Sequence, residues 1–172
     1  MKKGLYILVP VLFFVIISYL LPNEKVTTET VSVPMPVDAV TRVMTNQQEW
    51  AKWFPGTKKN DSTYLYYEAP ITIHKVLMNG FKATMINKDM NISLDFSFIA
   101  GKNARTDFTL NTVMKLSFNP ILRFKQFLSL NAAEDDSKRL LYQIQDYFSD
   151  VLKVYGYPIG MQKVPNSSYV ST

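Results

Sequence analysis

From Ile92 to Phe98 apolar and polar positions alternate without a break. Ile92, Leu94, Phe96 and Phe98 fall on one side, and Asn91, Ser93, Asp95 and Ser97 on the other. A period of two predicts a half-buried antiparallel strand over residues 90–99. Weaker versions of the pattern predict strands over 63–68, 71–77, 81–86 and 105–117. In the last of these Phe108, Leu110, Met114 and Leu116 share a face with Thr112. Asn79-Gly80, Asn87-Lys88-Asp89 and Gly101-Lys102-Asn103 supply turn residues between them, so this block reads as a meander.

On either side the period changes. Residues 26–33 are β-branched and read as one more strand, ended by Pro34 and Pro36. Asp38 is placed to cap a short helix over 39–45. Asn46 is placed to cap a second over 47–53, which Pro55-Gly56 terminates. After the meander, Asn119-Pro120 predicts the start of a helix over 121–130. Asp135-Asp136-Ser137 reads as the start of a longer one reaching about Lys153, its acids at the positive end of the helix dipole. Leu140, Leu141, Ile144, Tyr147, Phe148, Val151 and Leu152 make its apolar stripe. The expected class is α+β: a strand, two short helices, an antiparallel sheet, then a long amphipathic helix.

The N-terminus follows neither period. Lys2 and Lys3 precede residues 4–21, which hold no charge. At ~1.5 Å per residue this run makes about 27 Å of helix, close to the hydrocarbon thickness of a bilayer. We read it as a transmembrane helix. The rival reading is a cleaved signal peptide, but Ser18-Tyr19-Leu20-Leu21-Pro22 offers no small-x-small cleavage site. The two lysines place residues 1–3 in the cytoplasm as a stub and the rest of the chain on the extracytoplasmic, periplasmic side. The linker, 22–25, spans at most ~14 Å, which keeps a domain over 26–154 close to the membrane.

The chain has 172 residues, 47% hydrophobic and 19% charged, enough for one domain with a core. Beyond Lys2 and Lys3 the surplus is 17 basic against 14 acidic residues, scattered and without a nucleic-acid footprint. No cysteine is present, which excludes disulfides and thiol chemistry. The single histidine, His74, reads as an outward surface residue and cannot assemble a metal set. Neither a glycine-rich phosphate loop nor a nucleophile elbow occurs, so no catalytic residue, cofactor or metal is assigned. The three Asn-x-Ser matches, at Asn60, Asn91 and Asn166, read as chance.

The stretch VSVPMPVDAV running into NQQEWAKWFPG, followed by the meander and the long helix, resembles the START-like (SRPBCC) helix-grip superfamily, its polyketide cyclase/dehydrase-like branch in particular. The likeness covers residues 26 to about 154. It implies a curved sheet wrapped around the C-terminal helix, enclosing an apolar cavity. Trp50, Trp53 and Phe54 would lie at its wall with Met85, Phe96, Phe98, Phe108, Met114, Ile144, Tyr147 and Phe148. Thr112 and the indole N–H groups would be its polar contacts. The same indoles equally suit a filled core.

Residues 155–172 resemble the first strand of a gyrase-inhibitor-like effector-binding domain, and read as a tail able to engage a protein partner or a second copy. Three functions stay open: a membrane-anchored binder of an apolar or amphipathic, lipid-like molecule; a non-catalytic interaction module with a filled core; and a cyclase- or dehydratase-type enzyme. The last requires Glu49, Asp107, His74 or Tyr147 to point into the pocket.

Overall fold

The computed structural model describes residues 2–87 and 89–157, with side chains from Val9 onward. Helix α1 (Lys2–Leu20) is followed by β1 (Glu24–Val33), α2 (Val37–Thr45), a 3₁₀ turn (Gln47–Glu49) and α3 (Trp50–Trp53). Strands β2 (Thr57–Lys58), β3 (Thr63–Tyr66), β4 (Ala69–Leu77), β5 (Gly80–Asn87), β6 (Met90–Ala100) and β7 (Thr106–Lys115) come next. The helices α4 (Pro120–Ser149) and α5 (Val151–Tyr155) complete the described chain. The strands form one antiparallel sheet in the order β1-β7-β6-β5-β4-β3-β2. It curves around α4 as the helix-grip expectation requires.

The alternation in 90–99 and 105–117 becomes the inner face of β6 and β7. Ile92 pairs with Met114, Leu94 with Thr112, Phe96 with Leu110 and Phe98 with Phe108, and all eight side chains are buried. Across the sheet β1 closes on β7, with Val31 opposite Phe108. Salt bridges from Lys25 to Glu134 (2.5 Å) and from Lys138 to Glu29 (3.0 Å) lash β1 to α4, and Lys138 also pairs with Glu134 within the helix (2.9 Å).

Three local expectations are corrected. The two helices read over 121–130 and from Asp135 onward are one, Pro120–Ser149. No Pro or Gly interrupts Asn131–Asp136, Ser137 bonds back to the Ala133 carbonyl (2.9 Å), and Asp136 is taken up by a partner outside the helix. The break comes at Asp150, whose carboxylate caps α5 by accepting from Leu152 N (2.9 Å) and Lys153 N (3.3 Å). Asp38 lies inside the first turn of α2, where Pro36 is the cap residue. The strand read over 63–68 ends at Tyr66, because Tyr67 turns with φ +42°.

Other signals hold. Asn46 accepts from Gln48 N, and Asn119 from Ile121 N and Leu122 N. Gly56 takes φ +120°, and a Cβ there would stand 2.6 Å from Leu65 O. That close approach lets the chain turn from α3 into β2.

Among the described residues no helix is long and apolar enough to cross a membrane. The side chains of residues 1–8, on which the reading of 4–21 partly depends, lie outside that set. So does the tail beyond Tyr157.

Candidate ligand-binding site

The space between sheet and α4 is occupied by a closed ring of six aromatic side chains. Trp50 meets Phe81 (5.3 Å between centroids), Phe81 stacks on Phe96 (5.0 Å), and Phe96 meets Phe108 (5.3 Å). Phe108 meets Phe148 edge-on (5.4 Å), Phe148 meets Trp53 (5.7 Å), and Trp53 returns to Trp50 (4.9 Å). The sheet supplies three members, α4 one and α3 two. Pro55-Gly56 ends α3 so that both indoles stay on one turn, facing inward.

The residues assigned to a cavity wall from the sequence are therefore brought together, packed against one another. Trp50, Trp53, Phe54, Phe98 and Thr112 are 2–3% exposed, and Met85, Phe96, Phe108, Met114, Ile144 and Phe148 are fully buried. A side chain with no surface open to a water-sized sphere borders no void that could hold a water. Tyr147 stands apart: it is half-buried, and its hydroxyl donates to Lys153 O (3.0 Å).

The two indole N–H groups differ. Trp50 Nε1 donates to Met44 O at 2.7 Å, tying α3 to the end of α2. Trp53 Nε1 is buried and finds no partner among the described residues. A second buried donor in that condition is the Tyr66 hydroxyl. Burial pushes the Tyr66 phenol up to about 12, with smaller upward contributions from Tyr67 and Asp136 against the lowering effect of Arg139.

Tyr66 lies behind a cleft of about 490 Å³ at the far end of the grip, where Tyr67, Glu68, Ala69, Asn87 and Asp136 converge over it and over Met85. Its position follows from register. Tyr66 pairs with Ala69 at the β3–β4 turn, and Ile71 pairs with Met85 two steps before β5 ends at Asn87. Asn87 Nδ2 then donates to Asp136 Oδ2 at 2.8 Å, joining β5 to the middle of α4. On the other side of this bridge lies a smaller recess bordered by Met90, Gln126 and Ala133. Gln126 holds it together, donating to Asp89 O (2.6 Å) and accepting from Ser117 N (2.7 Å).

Tyr66, Asn87 and Asp136 were not singled out from the sequence. Asn87 reads as a turn residue and Asp136 as helix-start chemistry. The signal that could have found Asp136 is its place in the helical period: it lies three residues after Ala133 and four before Leu140, both buried. It is an acid on the shoulder of the apolar stripe.

The four residues named for acid–base chemistry do not enter the ring. Glu49 pairs with Lys52 (2.5 Å), His74 is exposed with Nε2 at 2.8 Å from Thr84 Oγ1, and Asp107 is half-buried beside Gly101. Among the described residues no group of three or more His, Asp or Glu is placed to hold a metal ion.

No family model matches the chain, and no curated protein matches it in sequence. Solved structures do. The aromatase/cyclase Zhui from Streptomyces sp. R1128 is 14% identical, with 72% of this chain and 92% of that one covered at a TM-score of 0.51. An uncharacterised protein from Bacillus thuringiensis is 9% identical (73% and 100% covered, TM-score 0.49), and Ara h 8.0201 is 10% identical (73% and 97%, TM-score 0.48). At these identities the likeness is one of fold alone, a helix grip.

Proposed function

We propose that this chain is a membrane-anchored helix-grip domain that binds an apolar or amphipathic, lipid-like small molecule through the cleft at Tyr66, Asn87 and Asp136. The observation that carries this reading is the cleft itself. Its floor backs onto Met85, a fully buried core residue, and onto the buried, unpartnered Tyr66 hydroxyl, which a ligand would reach by displacing the side chains at the Asn87–Asp136 bridge. An apolar floor with a few convergent polar groups is the usual make-up of a small-molecule site. The ligand's polar end would accept from Tyr66, and its apolar part would press toward Met85 and the aromatic ring. Removing apolar area from water would drive binding, at ~25 cal/mol per Å² before ordering costs.

The anchor in this reading is residues 4–21, with the N-terminus cytoplasmic and the domain on the extracytoplasmic side. Where α1 is described it turns apolar side chains outward, among them Phe13 (65% exposed) and Leu20 (79%). These suit a lipid surround better than water.

The packed ring favours a second reading, a non-catalytic interaction module whose core takes no guest. Native mass spectrometry of the full chain, released from detergent micelles in the instrument, separates the two. A discrete extra mass that is lost on denaturation, and retained less well by Tyr66→Phe and Asp136→Asn, supports ligand binding. A clean chain mass that stays unchanged after incubation with a bacterial lipid extract sinks it and leaves the module.

A further inference from the structure

We infer that the domain does not hang from its anchor but lies against the bilayer along the first turns of α4, with Phe118, Ile121 and Leu128 set among the lipids. This rests on the anchor reading of residues 4–21.

The junction between α1 and the domain is bonded rather than loose. Ser18, fully buried, donates from Oγ to Pro120 O (2.8 Å), and Tyr19 donates from its hydroxyl to Phe118 O (3.1 Å). Arg123, 1% exposed, reaches under the linker with one terminal nitrogen. That nitrogen's two N–H groups are shared among Leu21 O (2.5 Å), Pro22 O (3.0 Å) and Asn23 Oδ1 (2.7 Å). A guanidinium buried among carbonyls holds a single linker path, because moving the linker would leave the charge uncompensated.

Direction decides the rest. Ser18 meets Pro120, while Phe14, a turn earlier in α1, meets Phe124, a turn later in α4 (5.4 Å between ring centroids). The two helices therefore run in opposite senses at their contact, and the start of α4 lies beside α1 rather than beyond its end. Phe124 therefore stands level with Phe14 along α1. Ile121 and Leu128 flank Phe124 on the same helical face, three and four residues away. They are 72% and 69% exposed, and Phe118 is 84% exposed.

The chemistry of the segment fits lipid. From Phe108 to Ala133 the chain contains no Asp or Glu, and the first acid of α4 is Glu134. Ser18 and Tyr19 already have internal acceptors, as hydroxyls in hydrocarbon require. Lys125, four residues after Ile121 and three before Leu128, shares their face and pairs with Asp89, and Glu24 and Lys25 border Leu128, so the patch sits at headgroup depth, where long charged side chains reach water. The apolar surface is continuous with α1, and that continuity favours a bilayer over a separate protein partner.

The absence of cysteine makes the test clean. Phe118→Cys, Ile121→Cys and Leu128→Cys, with Met78→Cys at the β4–β5 turn (81% exposed) as the aqueous control, are made in the full chain. Each is labelled with a polarity-sensitive fluorophore and reconstituted into phosphatidylcholine–phosphatidylglycerol vesicles. Labels at 118, 121 and 128 should be quenched by doxyl lipid and shielded from iodide several-fold relative to 78, because a hydrated anion is excluded from the lipid. Equal iodide access at all four sites, with the chain retained through an alkaline carbonate wash, overturns the inference and leaves the anchor standing. Shielding from iodide without doxyl quenching also overturns it, pointing to a protein cover. Loss of the chain in the wash overturns the anchor and this inference together.

Discussion

Asn87 and Asp136 are joined by one hydrogen bond of 2.8 Å, and that bond spans the mouth of the grip. It links the last residue of β5 to the middle of α4, 49 positions along the chain. Because it divides the cleft at Tyr66 from the recess at Met90, it should govern how readily the mouth opens. Asn87→Ala should cost about 1.5–3 kcal/mol in urea denaturation, an ordinary loss for one bond to a carboxylate. It should also speed amide exchange in the 87–90 turn. Unchanged exchange there would mean that the bond holds nothing closed.

The indoles should separate cleanly. Trp50→Phe removes a buried donor and strands the Met44 carbonyl, whereas Trp53→Phe removes an N–H that has no described partner. Both delete similar apolar area. The first should therefore be more destabilising than the second by about 1–3 kcal/mol. Equal midpoints in denaturant would contradict the assignment.

Tyr66 should leave a mark at alkaline pH. Its folded pKa, raised to about 12, lies above the ordinary 10.0. The folded state therefore keeps its proton where the unfolded chain loses it. Stability should fall as pH rises from about 10 toward 12. Tyr66→Phe should remove that part of the decline without loss at neutral pH, since the hydroxyl it deletes makes no bond. Thermal melts across this range would show it.

At the acid side the relevant group is Glu134, whose carboxyl is held below its usual range by hydrogen bonds from Lys25 and Lys138. A depressed folded pKa contributes stability above the unfolded value and loses it as pH falls through the folded one. Glu134→Gln should flatten that acid-side loss. At neutral pH in low salt it should cost less than about 1 kcal/mol, and molar salt should erase the difference. A salt-independent effect would place the cause in packing instead.

Much of the fold was legible along the chain. The strict alternation at Ile92–Phe98 identifies β6 and its buried face, because a one-residue slip would turn that whole set to solvent. Asn46 and Asn119 mark helix starts by local capping that needs no tertiary partner. Asp135-Asp136-Ser137 misleads for the opposite reason. Acids and a serine look like a helix start only until Asn87, distant in sequence, is seen to take up Asp136. The cleft shares that difficulty: Tyr66 comes from β3, Met85 and Asn87 from β5 and Asp136 from α4, and only strand register and the packing of α4 on the sheet bring them together.

The chain by itself determined the element order, the inner face of the sheet and the apolar character of residues 4–21. These depend on periodicity and composition, which act over a few residues. Tertiary structure decided the rest. It closed six aromatic rings on one another where the sequence read equally as a cavity wall or a filled core, since how much space side chains leave depends on how the sheet curves. It gave Trp50 a carbonyl and Trp53 no partner among the described residues, though the two lie one turn apart. It also set the start of α4 beside α1, because Arg123 and the Phe14–Phe124 contact fix a direction that no local pattern encodes.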